Sequence, residues 1–198
     1  MLGFLLTAKK ANVRAIVRSD QFKMLFVSIS VGVMAGLFLS FARPKLGMPG
    51  HKAFFWMTPV LIARLLGGCK VGATAGGFFA ALTTYSVGAN LAGGVAGMPM
   101  IVLAGIILDW TVNFIEKNRI SGWGMILLLG IAGVLANLVC LAKRMILPSG
   151  LNPHSFLGLS GLWLRPFSYA VFGLLSGIVA SVGAQLMMRR HHGLRETS

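Results

Sequence analysis

Residues 54–85 read FFWMTPVLIARLLGGCKVGATAGGFFAALTTY. Two apolar stretches flank the four-residue turn Gly67-Gly68-Cys69-Lys70, so the segment is expected to be a helical hairpin inside a membrane. The first arm carries Pro59 in its interior and Arg64 near its far end. The second is lined with small residues (Gly72, Ala73, Ala75, Gly76, Gly77, Ala80, Ala81) and ends in Thr83-Thr84-Tyr85-Ser86. Small side chains let helix backbones approach where lipid, as apolar as leucine, offers no hydrophobic drive. A polar cluster at one end is costly against lipid and is expected to face a wet cavity.

Composition extends this reading to the whole chain. Of 198 residues, 56% are hydrophobic and only 11% charged, too apolar for an ordinary soluble domain. Several apolar runs approach the ~20 residues that cross a bilayer. The expected fold is an all-α integral membrane protein with six transmembrane helices in a compact bundle. The spans are expected at Phe22–Phe41, Ala53–Leu66, Val71–Val87, Met98–Ile115, Trp123–Ala142 and Leu162–Met188. Residues 1–21 then form a basic N-terminal segment, 22–188 the membrane domain and 189–198 a basic tail. The apolar stub Leu2–Leu6 precedes its charges and is too short for the core of a secretory signal.

The net charge of +14 invites a nucleic-acid reading, but the eighteen Lys and Arg are spread between apolar runs rather than along one soluble face. Six spans put both termini on one side. That side would carry Lys9, Lys10, Arg14, Arg18, Lys23, Lys70, Lys117, Arg119, Arg189, Arg190 and Arg195. The other would carry Arg43, Lys45, Lys52, Lys143, Arg144 and Arg165, with Arg64 inside a helix. The excess places both termini in the cytoplasm.

The minority side is chemically informative. Its cations, with His51 and His154, have no acid among them. Two readings are open: contact with anionic lipid headgroups, or an electropositive mouth holding a carboxylate or phosphate. On the second reading the candidate substrate-binding residues are Arg43, Lys45, His51, Lys52, Thr84, Tyr85, Asn90, Arg144, His154 and Arg165. The glycine-rich link from Gly88 to Gly97 reads equally as a cover over that mouth or as a solvated turn.

Ser28, Gly32, Gly36 and Ser40 recur every fourth residue and share one face of the first helix. That face is expected either to pack within the chain or to dock a partner subunit. Asp109 is the only acid inside an apolar run, and it shares a face with Gly105 and Asn113. Arg64 lies six residues before Lys70 and Asp109 eight before Lys117. Their depths therefore match within about one turn, and a structural ion pair is expected because either charge alone is expensive there. Arg64 reaching the interface alone, and Asp109 acting as a proton or ion carrier, are the alternatives. Interior Asn137 is expected to hydrogen-bond between helices.

No catalytic constellation is present. The carboxylates are Asp20, Asp109, Glu116 and Glu196, none on the outer side to orient a histidine-based triad. There is no P-loop, zincin motif or nucleophile elbow. Cys69 and Cys140 lack metal-type spacing. Neither an enzyme nor a cofactor or metal is expected.

The run TPVLIARLLGGCKVGATAGG, residues 58–77, resembles the substrate-capture subunits, or S-components, of energy-coupling-factor vitamin transporters. The likeness lies in Pro59, Gly67, Gly68, Lys70, Gly72 and Ala73, about 20 residues of motif, with length and helix count extending it loosely. It implies a multi-pass subunit of the cell membrane that captures a vitamin or related micronutrient at the outer face. The implied partners are a transmembrane coupling subunit and ABC-type ATPases, and the subunit would topple in the membrane to release its cargo. Family members contact the coupling subunit through small residues of the first helix, often an Ala-xxx-Ala pair. Ser28, Gly32 and Gly36 match in size but not identity. An autonomous small transporter or channel, and a noncatalytic scaffold subunit, are the rival functions.

Overall fold

The computed structural model describes residues 2–42, 50–89, 91, 95–146 and 158–195, with side chains described for 20–42, 50–89, 91, 95, 97–142 and 165–189. Among these residues the chain is helical, without strands. Six α-helices run Leu2–Ala42 (α1), His51–Gly67 (α2), Gly72–Ser86 (α3), Met98–Lys117 (α4), Trp123–Ile146 (α5) and Gly158–Arg195 (α6). A short 3₁₀ turn, Val95–Gly97, leads into α4. The first and last helices pass the expected boundaries: α1 continues unbroken through residues 2–21, and α6 runs on into the basic tail.

Among the described residues four helical stretches are long and apolar enough to cross a membrane: Asp20–Ala42, Met98–Lys117, Trp123–Ala142 and Arg165–Arg189. The fold thus fits a helical membrane protein. With 17 and 15 residues, α2 and α3 rise only about 25 and 22 Å. Both are short of a ~30 Å hydrocarbon core.

The helices form a ring in the order α1, α3, α4, α5, α6, α2, with α2 also touching α3 across it. Trp56, Met57, Val60, Leu61 and Arg64 of α2 are all but closed to solvent. Lipid supplies no hydrophobic drive, so close backbone approach does the holding. Gly32 and Gly36 of α1 lie against Gly76 and Ala80 of α3, with Ser28 against Gly72. The constant offset shows that α1 and α3 run parallel. On α5 and α6, Gly133 meets Gly173 and Leu129 meets Gly177 in antiparallel register. Gly105 of α4 rests on Ala73 and Thr74.

The α2–α3 turn has its own local logic. Gly68 ends α2 at φ 65° and donates its N–H to the Arg64 carbonyl at 3.1 Å. Left-handed backbone of this kind costs most L-residues about 1–2 kcal/mol but glycine almost nothing.

Cross-helix contacts define the two ends of the bundle. At one end Gly67 lies by Met24, Asn113 Nδ2 donates to the Lys70 carbonyl at 3.4 Å, and Gln185 Nε2 donates to the Gly122 carbonyl at 3.4 Å. At the other, Asn137 Nδ2 donates to the Tyr169 carbonyl at 2.7 Å and to that of Gly50 at 3.5 Å. Buried Asn137 thus ties α5 to α6 and to the start of α2, as a polar side chain in an apolar run requires.

Candidate functional site

Among the described residues the densest polar chemistry surrounds Arg64, a fully buried arginine. Its Nε donates to Asp109 Oδ1 at 3.2 Å, and Nη2 donates to Asn113 Oδ1 at 2.7 Å. Nη1 reaches Glu116 Oε1 at 2.9 Å and Nη2 reaches Glu116 Oε2 at 3.3 Å, a two-pronged contact that suits guanidinium geometry. Asp109, Asn113 and Glu116 lie at i, i+4 and i+7 on α4, hence on one face.

Asp109 also performs a second task. Oδ1 accepts the Ala73 N–H at 3.0 Å, while Oδ2 accepts the Thr74 N–H at 2.8 Å and the Thr74 hydroxyl at 2.7 Å. Ala73 and Thr74 belong to the first turn of α3, whose leading N–H groups have no partner within the helix. A carboxylate there satisfies them and sits favourably against the positive end of the helix dipole. One residue of α4 therefore caps α3 and neutralises a cation from α2. The small residues Gly72, Ala73 and Gly105 let the three backbones come close enough for this.

The expected depth match thus appears as direct contact, within a larger network. Glu116 was not in the expected pair. Its place three residues past Asn113 and seven past Asp109 was the available signal, obscured because it also sits at a helix end beside Lys117. The Ala73 and Thr74 backbone donors carry no side-chain signal. Among the described residues, no three His, Cys, Asp or Glu gather as a metal would require.

The opposite end holds the candidate mouth. His51 and Lys52 open α2 and are half-buried, with the His51 ring edge-on to Phe172 at 6.3 Å. Arg165 is half-buried in α6, and Tyr85 is exposed at the end of α3. Arg144 lies in the last turns of α5, its side chain outside the described residues. Arg43, Lys45, Asn90 and His154 also lie outside the described residues.

Thr84 faces the bundle interior, and its hydroxyl donates to the Ala81 and Ala80 carbonyls at 2.8 and 3.1 Å. Of the two readings of the small-residue face of α1, packing within the chain is the one observed. The face formed by Ser28, Gly32 and Gly36 is filled by α3. A Cβ on Gly36 would meet the Ala80 carbonyl at 2.7 Å, and one on Gly32 would overlap the Gly76 backbone. That face is an internal seam with no room for a partner helix.

Charge is segregated along the bundle. The sequence has no Asp or Glu between residues 21 and 108 or between 117 and 195. Asp20 and Glu116 lie at the end of the Lys70 turn, with Asp109 deeper in that half, whereas Lys52 and Arg165 lie at the other end. No family model, curated protein or solved structure matches the chain.

Proposed function

We propose that the chain is the membrane-embedded solute-capture subunit of an importer powered by separate ATPases, of the energy-coupling-factor type that residues 58–77 resemble. In this reading all six helices lie within the cell membrane, α2 and α3 held in by their neighbours despite their length. Both termini are cytoplasmic, as the larger share of cations favours. The Arg64 network occupies the inner half, and the opposite end faces outward.

The observation that carries the reading is the charge segregation. At one end Lys52 lies in the first turn of α2, Arg144 in the last turns of α5 and Arg165 in the first half of α6; in the sequence Arg43 and Lys45 fall between α1 and α2, and no carboxylate lies among these cations. A field of one sign attracts a small anion and raises its local concentration. Arginine fixes a carboxylate or phosphate in two-pronged geometry. The solute is therefore a small anion, a vitamin or related micronutrient by the family resemblance. The chain carries no P-loop, so power comes from a coupling subunit and its ATPases. Because α3 fills the Gly32 seam, the coupling subunit must dock on another face.

The reading is tested by denaturing the purified protein and identifying released small molecules by mass spectrometry. A stoichiometric anion is expected, retained less by Arg165→Gln and Arg144→Gln variants. Uptake of that anion into proteoliposomes is expected only when ATPases are present. Uptake by the chain alone would overturn the importer reading in favour of an autonomous carrier. A preparation that retains no anion and binds none would overturn the capture role in favour of a scaffold.

A further inference from the structure

Between α1 and α2 the outer surface of the bundle is concave. Val31, Met34, Ala35 and Phe38 of α1 meet Phe55 and Pro59 of α2 around a trough of about 470 Å³, with Ser30 at its inner end. That volume falls within the range of small-molecule sites, and the lining is almost wholly apolar. Met34 and Phe38 are 66% and 50% exposed within a stretch long and apolar enough to cross a membrane, so the trough opens sideways toward lipid. The Phe38 and Phe55 rings, 5.7 Å apart, form part of its outer wall. From Ser30 to Phe38 the trough spans about 12 Å along α1.

A cation stands above it. Lys52 precedes Phe55 by three residues and Pro59 by seven, which puts all three on one face of α2. Lys52 thus lies about one helical turn outward of the apolar lining. A lysine there runs its alkyl stem along apolar surface and holds its charge at the headgroup level. No Asp or Glu occurs in the outward half of either helix.

We propose that this trough is a binding site for one anionic phospholipid of the bilayer, its acyl chain lying between α1 and α2 and its phosphate beside Lys52. Trough and cation together match an amphiphile with an apolar tail and a negative head. A partner helix would cover the apolar lining without using the charge. The apolar part of the site lies on the lipid side of α1 and α2, apart from the capture mouth, while Lys52 is shared with it.

The experiment is native mass spectrometry of the full chain exchanged into defined mixtures of phosphatidylglycerol and phosphatidylcholine. One retained phosphatidylglycerol is expected, favoured over phosphatidylcholine by roughly fivefold. Lys52→Gln should erase the preference while a phospholipid is still retained. Ser30→Leu, which fills the trough, should reduce retention of both lipids and leave retention of any small anion unchanged. If a variant fails to fold, spin-labelled lipids report on the unmodified chain, with a larger immobilised fraction expected for phosphatidylglycerol. Equal retention and equal immobilisation of the two lipids would overturn the proposal. So would disulfide-linked dimers of a Met34→Cys variant in the bilayer, which would make the trough an interface between two copies.

Discussion

Replacing Asp109 with asparagine keeps the size of the side chain and removes its charge, and the structure specifies what is lost. Four donors converge on the carboxylate: Arg64 Nε, the Ala73 and Thr74 N–H groups, and the Thr74 hydroxyl. Asparagine has one oxygen. With that oxygen at the Oδ1 position its NH₂ group points at the Thr74 N–H; turned over, it points at Arg64 and the Ala73 N–H. The Thr74 hydroxyl can rotate to accept, but one buried backbone N–H stays unpaired, at a cost of about 1–3 kcal/mol. Arg64 also loses a charged partner. Breaking a buried pair costs roughly 3–5 kcal/mol when it strands the other ion. Here Glu116 and Asn113 still hold the guanidinium, so the upper figure does not apply. A total of about 3 kcal/mol corresponds to a fall in Tm of roughly 6–12 °C for a chain of this size. Intrinsic tryptophan fluorescence during heating in detergent measures it, since Trp56 is buried beside Gly77. Adding Arg64→Gln removes the stranded cation, so the double variant should lose less than the two single variants combined, by about 1–2 kcal/mol. Losses that add to within about 0.5 kcal/mol, or an Asp109→Asn shift below roughly 2 °C, would refute the coupling of cap and ion pair.

Further expectations follow from the same packing. Glu116→Gln should cost about 1 kcal/mol or less, because Glu116 is half-exposed and such pairs are weak; a loss matching that of Asp109→Asn in the same melts would contradict it. Gly32→Ala should lower Tm by several degrees, since its Cβ overlaps the Gly76 backbone and overpacking costs typically 1–3 kcal/mol; an unchanged melting curve would show that α1 and α3 separate easily. Thr84→Val should leave anion retention unaltered, because its hydroxyl serves the Ala80 and Ala81 carbonyls; lost retention in mass spectrometry would return Thr84 to the binding site. Gly68→Ala should destabilise by about 1–2 kcal/mol from backbone strain alone, as nothing lies within 4 Å of the added carbon; a neutral result would show that the turn relaxes.

The sequence by itself determined the helices and the turn around Gly68, because apolar runs and glycine punctuation are local signals. It also determined the meeting of Arg64 with Asp109. Two opposite charges at one depth in an apolar setting have few other ways to lower their energy, so counting rise per residue was enough. That α1 extends through residues 2–21 and α6 into the basic tail was less legible, because Lys and Arg are good helix formers that end an apolar run without ending the helix. What Gly32 and Gly36 pack against was decided only by tertiary structure. A stripe of small residues reads the same whether its partner is α3 or another subunit, since lipid gives no contrast of polarity to sort the faces. The recruitment of Ala73 and Thr74 to Asp109 and of Glu116 to Arg64, and the turning of Thr84 onto its own helix, belong to the same class. Backbone N–H groups are invisible in a sequence, and the rotation of a short helix is set by the backbones it touches.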